Sequence, residues 1–336
     1  MTEAFVPIRL ESAAQLTERG DVEGAPPLDA ASLARHAPDA TWIMARPGGA
    51  AQARCSLWWT ATPELPGRRC GLIGHYAAHD ASAARRVLDH ACAELAGRGC
   101  TLAVGPMDGS TWRRYRLVVE RGDEPLFFLE PDNPLDWPEH FRGAGFESLA
   151  TYFSAVTEDL AIDDRRESAI EERLVGRGLR VRALDPSRSD DELRRIHRLS
   201  TASFTDNFLY TPIGEEDFLE LYRPVLSNVP AELVMLAEQG DELVGFVFGY
   251  PDFNRARRGA RLDTVVLKTI ARAPGRAWAG LGSLLVARYN RRVAERGFRR
   301  VIHALMHESN VSRNMSTRRR ARTFRRYALF ARTLAP

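Results

Sequence analysis

Lysine is all but missing from this chain: Lys268 is the only one, and the other 46 of its 47 basic side chains are arginine. Cysteine is scarce too. Cys55, Cys70, Cys92 and Cys100 all lie in the first third, with no CxxC pair and no metal-knuckle spacing. That excludes a disulfide scaffold and leaves reduced, structural thiols as the expectation. No apolar run approaches the roughly 18 residues of a membrane span, and Met1-Thr2-Glu3-Ala4-Phe5 lacks the basic and then apolar regions of a secretory signal. A cytoplasmic protein with no membrane partner is expected. His75 with His79, and His303 with His307, are spaced four apart, but neither pair has a third ligand near it in sequence, so no metal is expected. A dinucleotide-binding GxGxxG is excluded because Leu285 stands where its third glycine would be, and there is no Gly-Lys-Ser/Thr of a P-loop.

What is present is ordinary in bulk. At 336 residues, 44% hydrophobic and 27% charged, the chain has room for about two globular domains and is neither disordered nor fibrous. Its net charge of +3 hides a strong asymmetry: residues 251–336 carry 21 basic and 4 acidic side chains, whereas the first 250 carry 26 and 40. A basic block of this kind points to an anionic partner, a phosphorylated cofactor or nucleic acid, unless it is a solvated arginine face.

The second half reads as a mixed α/β sheet. A strand is expected at Leu179–Ala183, then a helix from the capping box Ser189-Asp190-Asp191-Glu192 to about Phe204, and a helix from Glu215 to about Leu226. Strands follow at Glu232–Ala237 and Leu243–Tyr250, joined by a tight hairpin, and at Leu262–Ile270. A helix over 282–296 stops at Gly297, Arg300–Met306 reads as strand, Ser312–Arg319 as a short helix and Thr323–Ala331 as a last strand. Subtracting 198 places Leu285, Val286, Tyr289 and Val293 on Val87, Leu88, Ala91 and Leu95, and Gly297 on Gly99; each helix then runs through Arg-Gly into an apolar strand. Two copies of one α/β (α+β) fold are therefore expected, each a mixed, mostly antiparallel sheet flanked by helices: residues 1–160 and 179–336, linked by the charged stretch 161–178.

The chemistry concentrates in Pro274-Gly275-Arg276-Ala277-Trp278-Ala279-Gly280-Leu281-Gly282, between a strand and a helix. Glycine lets the backbone approach a ligand, and a helix N-terminus offers unpaired N–H groups to a pyrophosphate. The segment resembles the acyl-CoA loop of the GNAT superfamily of N-acyltransferases, whose pattern is Gln or Arg, two residues, Gly, one residue, Gly or Ala; here Ala277 stands in the first position, with Arg276 beside it. The order of elements around it resembles the family as well. The resemblance implies a tandem GNAT protein whose second copy binds acetyl-CoA (CoA) through Ile270, Arg276, Ala277, Trp278, Ala279, Gly280, Leu281 and Gly282. It also implies that Asn310 holds the pantetheine arm. In the first copy Asp80, Ser82 and Ala84 replace Trp278, Gly280 and Gly282, and an aspartate there repels a pyrophosphate, so that copy is expected to be degenerate.

The implied reaction is N-acyl transfer to a primary amine of a small molecule or peptide. A base must take the amine's proton, and Asp263, Glu308, Glu232 and Asp252 are the candidates bordering the cleft. Thr317 stands where the family has a tyrosine acid, leaving Ser316, Tyr327 or no side chain for that role. His307 precedes Glu308 at a strand end that should face the acyl group. Asn207, Phe208 and Tyr210 fall in the family's acceptor-side loop, and Lys268 lies late on the cofactor-side strand. In the first copy, the stretch 105–112 followed by Arg113, Arg114 and Arg116 could face a cleft between the copies. Two other readings remain: nucleic-acid binding through Arg318, Arg319, Arg320, Arg322, Arg325 and Arg326, which lacks a recognised motif, and a catalytically inactive CoA-binding scaffold.

Overall fold

A computed structural model describes residues 5–160, 165–309 and 320–335. The first lobe contains strands β1 (Val6–Arg9), β2 (Ala40–Ala45), β3 (Ala51–Trp58), β4 (Cys70–Ala78), β5 (Leu102–Gly105), β6 (Leu117–Glu120) and β7 (Glu147–Thr157), with helices α1 (Ala13–Arg19), α2 (Ala30–His36), α3 (Ala81–Gly97) and α4 (Trp137–Gly143). Helix α5 (Arg165–Val175) leads to the second lobe: β8 (Leu179–Ala183), α6 (Ser189–Ser203), α7 (Glu215–Leu226), β9 (Val234–Gln239), β10 (Glu242–Pro251), α8 (Phe253–Arg257), β11 (Thr264–Arg272), α9 (Leu281–Glu295), β12 (Arg300–His307) and β13 (Arg322–Thr333).

Local signals account for most of these elements. α3 and α9 each turn one apolar stripe inward, burying Val87, Leu88, Ala91 and Leu95 in one and Leu285, Val286, Tyr289 and Val293 in the other. Both end at a glycine in the left-handed region, Gly99 at φ 79° and Gly297 at φ 83°, which supports the 198-residue correspondence. The β9–β10 hairpin closes on Gly240, φ 58°, between the paired residues Gln239 and Glu242.

Several details depart from the sequence reading. The short turn Ala231–Leu233 delays β9 to Val234, β11 begins at Thr264, and α8 was not anticipated. The capping box is not used, because Ser189 lies inside α6. Glu192 turns into the core instead, 2% exposed, to meet Arg182 at 2.7 Å and Arg195 at 3.3 Å. The helix expected at Ser312–Arg319 lies outside the described residues.

All thirteen strands join one sheet, in the order β1-β2-β3-β4-β5-β13-β7-β12-β11-β10-β9-β8, with β6 against β13. The lobes have exchanged last strands: β13 lies antiparallel between β5 and β7, and β7 pairs with β12. The exchange is symmetric in register. Val301 pairs with Thr157 and Ala103 pairs with Arg332; the 198 offset relates the first member of each pair, and an offset of 175 relates the second. The same 175 relates Tyr152 to Tyr327, which face each other across the ladder, so an approximate twofold axis runs between them.

The exchange also changes the meaning of the basic block. Arg300 meets Glu124 at 2.6 Å, Arg322 meets Asp123 and Glu124, Arg325 meets Glu130 at 2.5 Å, and Arg332 meets Asp89 at 2.8 Å. Four arginines of the C-terminal block thus find their carboxylate partners in the first lobe.

The two lobes differ where each parallel strand pair opens. In the first lobe β4 and β5 pair from Cys70–Leu102 to Leu72–Val104, and beyond that point the space is taken by the lobe's own chain. A Cβ on Gly74 would lie 2.3 Å from the carbonyl oxygen of Met107. Next to it His75, at φ 47°, receives contacts on both ring nitrogens, Nε2 from His36 Nδ1 at 2.7 Å and Nδ1 from Ser56 Oγ at 2.9 Å, while its backbone N–H donates to Asp108 at 2.6 Å. His36, His75 and Asp108 gather ligand-type atoms within 4.8 Å. The hydrogen-bonded chain already occupies both nitrogens of His75, and burial with nearby Arg54 and Arg113 keeps that imidazole neutral, its pKa drawn down to about 3.

Two measurements test this account. His75 is neutral in the folded state but ionises in the unfolded chain below its ordinary value, so its contribution to stability falls as pH drops below about 6.5. By pH 5 the loss is about 2 kcal/mol. Asp108, pushed up to about 6 by burial, acts with the opposite sign and offsets about 1 kcal/mol of it. Urea midpoints are expected to fall between pH 7.5 and pH 5, and to fall less in His75→Asn, a residue that tolerates positive φ. A slope unchanged in that variant rejects the assignment. Separately, the fragment 179–336 leaves β12 and β13 without β5, β6 and β7, and is expected to show no cooperative monomeric melt by circular dichroism and size-exclusion chromatography.

Candidate active site

In the second lobe the parallel pair parts in the same way, and no plug like that of the first lobe is found among the described residues. β11 and β12 run parallel from the Thr264–Arg300 pair to the Leu267–His303 pair and then part, β11 continuing beside β10 to Arg272 and β12 bending onto β7 through a register shift between His303 and Met306. Lys268, Thr269 and Ile270 therefore lie on one side of the opening and Leu305 to His307 on the other. Lys268 is half-buried, and desolvation together with the positive charge of Arg116 draws its pKa down to about 8.

At the far end of β11 the glycine loop turns into α9. Gly275 (φ 102°) starts it, a single 3-10 turn spans Arg276–Trp278, and Gly280 (φ 86°) occupies the N-cap of α9 with no side chain to bond the first-turn amides. Those N–H groups and the positive end of the helix dipole are what the loop offers an anion. Gly282 has open space where a Cβ would be. Leu281 is fully buried, and Ile270 and Trp278 pack on the core, so these three shape the loop from beneath. Ala277 and Ala279 are exposed, with carbonyls that accept from Arg173, and Ala277 also accepts from Arg177. Those two arginines, from α5 and just beyond it, join Arg276 at the rim. α5 is further seated by Ile170 against Gly280 and by Glu171 on Arg288 at 2.5 Å.

The first lobe supplies the opposite wall. Arg116, only 8% exposed and at φ 68°, lies between the rings of Tyr115 (3.9 Å) and Tyr152 (4.2 Å). The Tyr152 ring meets the His307 ring at 4.9 Å, and Phe208 meets it from the other lobe at 5.7 Å. Burial and Arg116 hold the His307 imidazole below its ordinary pKa. Its Nδ1 accepts from the Ser309 N–H at 3.1 Å. Beside this cluster Tyr210 lies edge-on to Trp112 at 6.1 Å, and the Trp112 indole N–H donates to the Thr211 carbonyl at 2.8 Å. Phe208 thus faces the cleft, Tyr210 braces the loop against the first lobe, and Asn207 is exposed in the preceding turn.

The acid and base candidates are not brought together. Asp263 lies at the closed end of the β11–β12 pair, bound to Arg255 at 3.1 Å. Glu308 accepts from Thr151 at 2.8 Å and pairs with Arg326. Tyr327 is fully buried, its hydroxyl shared between Ser154 at 3.0 Å and Glu130, and burial lifts its pKa well above the ordinary phenol range. Glu232 pairs with Arg296, and Asp252 is buried, accepting from the Phe128 N–H at 2.7 Å. Asn310 and Ser316 lie outside the described residues. Sequence reasoning missed Tyr115, carried by the loop between β5 and β6, and Tyr152, which reaches the wedge because β7 has crossed into the second lobe's sheet.

This is the fold of the GCN5-related N-acetyltransferases, the GNAT fold, built twice in one chain with the last strands exchanged. A GCN5-related N-acetyltransferase from Anabaena variabilis superposes with a TM-score of 0.55 at 11% identity, covering 99% of this chain and 73% of that one. The glucosamine N-acetyltransferase region of a fungal multi-domain beta-N-acetylglucosaminidase gives 0.53 at 12% identity, covering 99% of this chain and 38% of that one. In sequence, a bacterial ceramide synthase from Caulobacter vibrioides is 30% identical over 204 residues, 58% of this chain and 51% of that protein. The chain thus spans about half the length of the curated relative it matches. No family model matches the sequence.

The loop geometry separates two adjacent glycines. A Cβ on Gly280 would lie 2.8 Å from Ile170 in a backbone conformation that side chains avoid, so Gly280→Ala is expected to cost roughly 2 kcal/mol. Gly282→Ala is expected to be near neutral. Thermal melts of the two variants check the contrast, and equal losses contradict the loop's placement.

Proposed function

We propose that the chain is an acyl-CoA-dependent N-acyltransferase, moving an acetyl or longer acyl group from the CoA thioester to a primary amine. The observation that carries this reading is the second lobe's open wedge ending at the uncapped N-terminus of α9, beside Arg173, Arg177 and Arg276. In such a site the first-turn amides of α9 and the rim arginines hold the pyrophosphate, and the parted edges of β11 and β12 receive the pantetheine arm with the thioester. The amine enters from the first-lobe side, past Phe208 and Tyr115. Its proton must leave before or during attack. His307 is the titratable group nearest this path that is held neutral, and Asp263, Glu308 and Tyr327 are already engaged elsewhere.

The relative's name, a ceramide synthase, is that of an enzyme forming an N-acyl lipid, and favours an amine on a lipid base among the acceptors to be tried. No described helix is long and apolar enough to cross a membrane. Of the six arginines behind the nucleic-acid reading, Arg322, Arg325 and Arg326 are each bound to a carboxylate, and Arg318 and Arg319 lie outside the described residues.

Calorimetry with CoA and thiol release from acetyl-CoA and palmitoyl-CoA against an amine panel test the reading. Gly282→Glu, which fills open space with a negative charge, is expected to weaken CoA binding at least tenfold while the protein stays folded. Unchanged affinity in that variant refutes the site. Ser82→Glu, in the filled first lobe, is expected to leave affinity intact.

A further inference from the structure

Of the three buried arginines among the described residues, Arg116 is the least bonded, and Arg54 leaves only its Nε unpaired. Arg325 is held by Glu130 and by the carbonyls of Arg121 and Glu124, and Arg54 by the carbonyls of Gly20 and Pro26. Arg116 is buried too, yet its Nε and Nη1 have no hydrogen-bond partner, and among the described residues no carboxylate comes within ion-pair distance of it. Two tyrosine rings sandwich the guanidinium, an arrangement that fixes its plane and offsets part of its lost hydration. Stacking leaves the in-plane N–H groups free. Enclosing a charge without a counter-ion costs several kcal/mol.

The chain's single lysine adds to the anomaly. Lys268 lies just past the last β11–β12 pair, where the two strands part toward the His307 cluster, and it too has no ion pair among the described residues. The residues from 309 to 321, which connect β12 to β13, include no aspartate or glutamate. Two cations from different lobes therefore lie at one wedge with no ion-pair partner among the described residues.

We propose that Arg116 and Lys268 form a receptor for a carboxylate carried by one of the two substrates, either the amine acceptor or the acyl group. The proposal rests on the N-acyltransferase reading for its choice of substrate, and on the two unpaired cations for its chemistry. A carboxylate set between them accepts from the Arg116 fork on one side and the ammonium on the other, while Phe208 and Leu305 cover the apolar remainder. No bond is made or broken by this pair. Its contribution is to fix the orientation of the reacting partner.

The test compares full-length wild type with Arg116→Met and Lys268→Met in thermal melts and calorimetry, using two matched pairs of probes. Leucine against 3-methylbutylamine differs only in the acceptor's carboxylate, and succinyl-CoA against butyryl-CoA only in the donor's. In wild type the carboxylate-bearing member of one pair is expected to bind at least about tenfold more tightly than its neutral partner, a preference lost in both variants; the pair that discriminates names the source. Unliganded Arg116→Met is expected to melt above wild type, because methionine keeps the stem between the tyrosines and removes an uncompensated buried charge. Equal binding within both pairs overturns the proposal, as does an Arg116→Met protein that melts lower than wild type or keeps the carboxylate preference. Failure of the transferase reading looks different: no thiol is released with any amine, yet the carboxylate preference persists.

Discussion

The pairing of β7 with β13 is the constraint from which the rest of the molecule follows. Each strand ends one lobe and completes the other, so neither lobe has an independent sheet centre. The seam fixes the rotation between the lobes through the register of Tyr152 opposite Tyr327. It also brings Tyr152 beside His307 and thereby builds a cleft wall from the far half of the sequence. Charge follows the same plan: several arginines of the last quarter find carboxylates of the first lobe, so part of the charge imbalance is met within the chain.

Duplication left two wedges of the same design, and their difference shows how little is needed to retire one. In the first lobe the chain after β5 folds back so tightly that Gly74 has no room for a side chain, and His75 with Asp108 and His36 forms a hydrogen-bonded plug. In the second lobe the corresponding opening is bounded by Lys268 and His307, and the helix behind it starts on a glycine. The loop that follows β5 closes its own wedge and also delivers Tyr115 and Arg116 to the neighbour's. The two lobes are thus joined at this cleft by side chains as well as by strand pairing.

Local features were legible in the sequence. The apolar stripes of α3 and α9, their terminal glycines and the strands behind them follow from periodicity and turn chemistry within some twenty residues, and the 198 offset exposed the duplication. The glycine loop was readable because a backbone that must take positive φ records that need as glycine. The capping box failed because the buried Glu192 pairs with Arg182 and Arg195 instead of turning back to the helix end. The strand exchange was not legible at all. Either partner satisfies the alternation of an apolar strand, and the choice is made by pairing over more than 150 residues. Whatever depends on that choice was hidden with it: the aromatic sandwich around Arg116, the pairing of the C-terminal arginines and the engagement of Glu308 and Tyr327.

The sheet's order also has a consequence for synthesis. A chain emerges from the ribosome N-terminus first, yet the strand at the middle of this sheet is made after every other described strand. Until β13 arrives, β5 and β7 each expose an unpaired edge, and the first lobe waits half-assembled while residues 161–333 are translated. Such edges recruit other strands. The acidic segment around Asp123, Glu124 and Glu130 keeps a negative charge beside the vacant slot, repelling acidic chains and attracting the arginine-rich strand that belongs there. Electrostatics then acts as a placeholder for an interaction that the order of synthesis delays to the end.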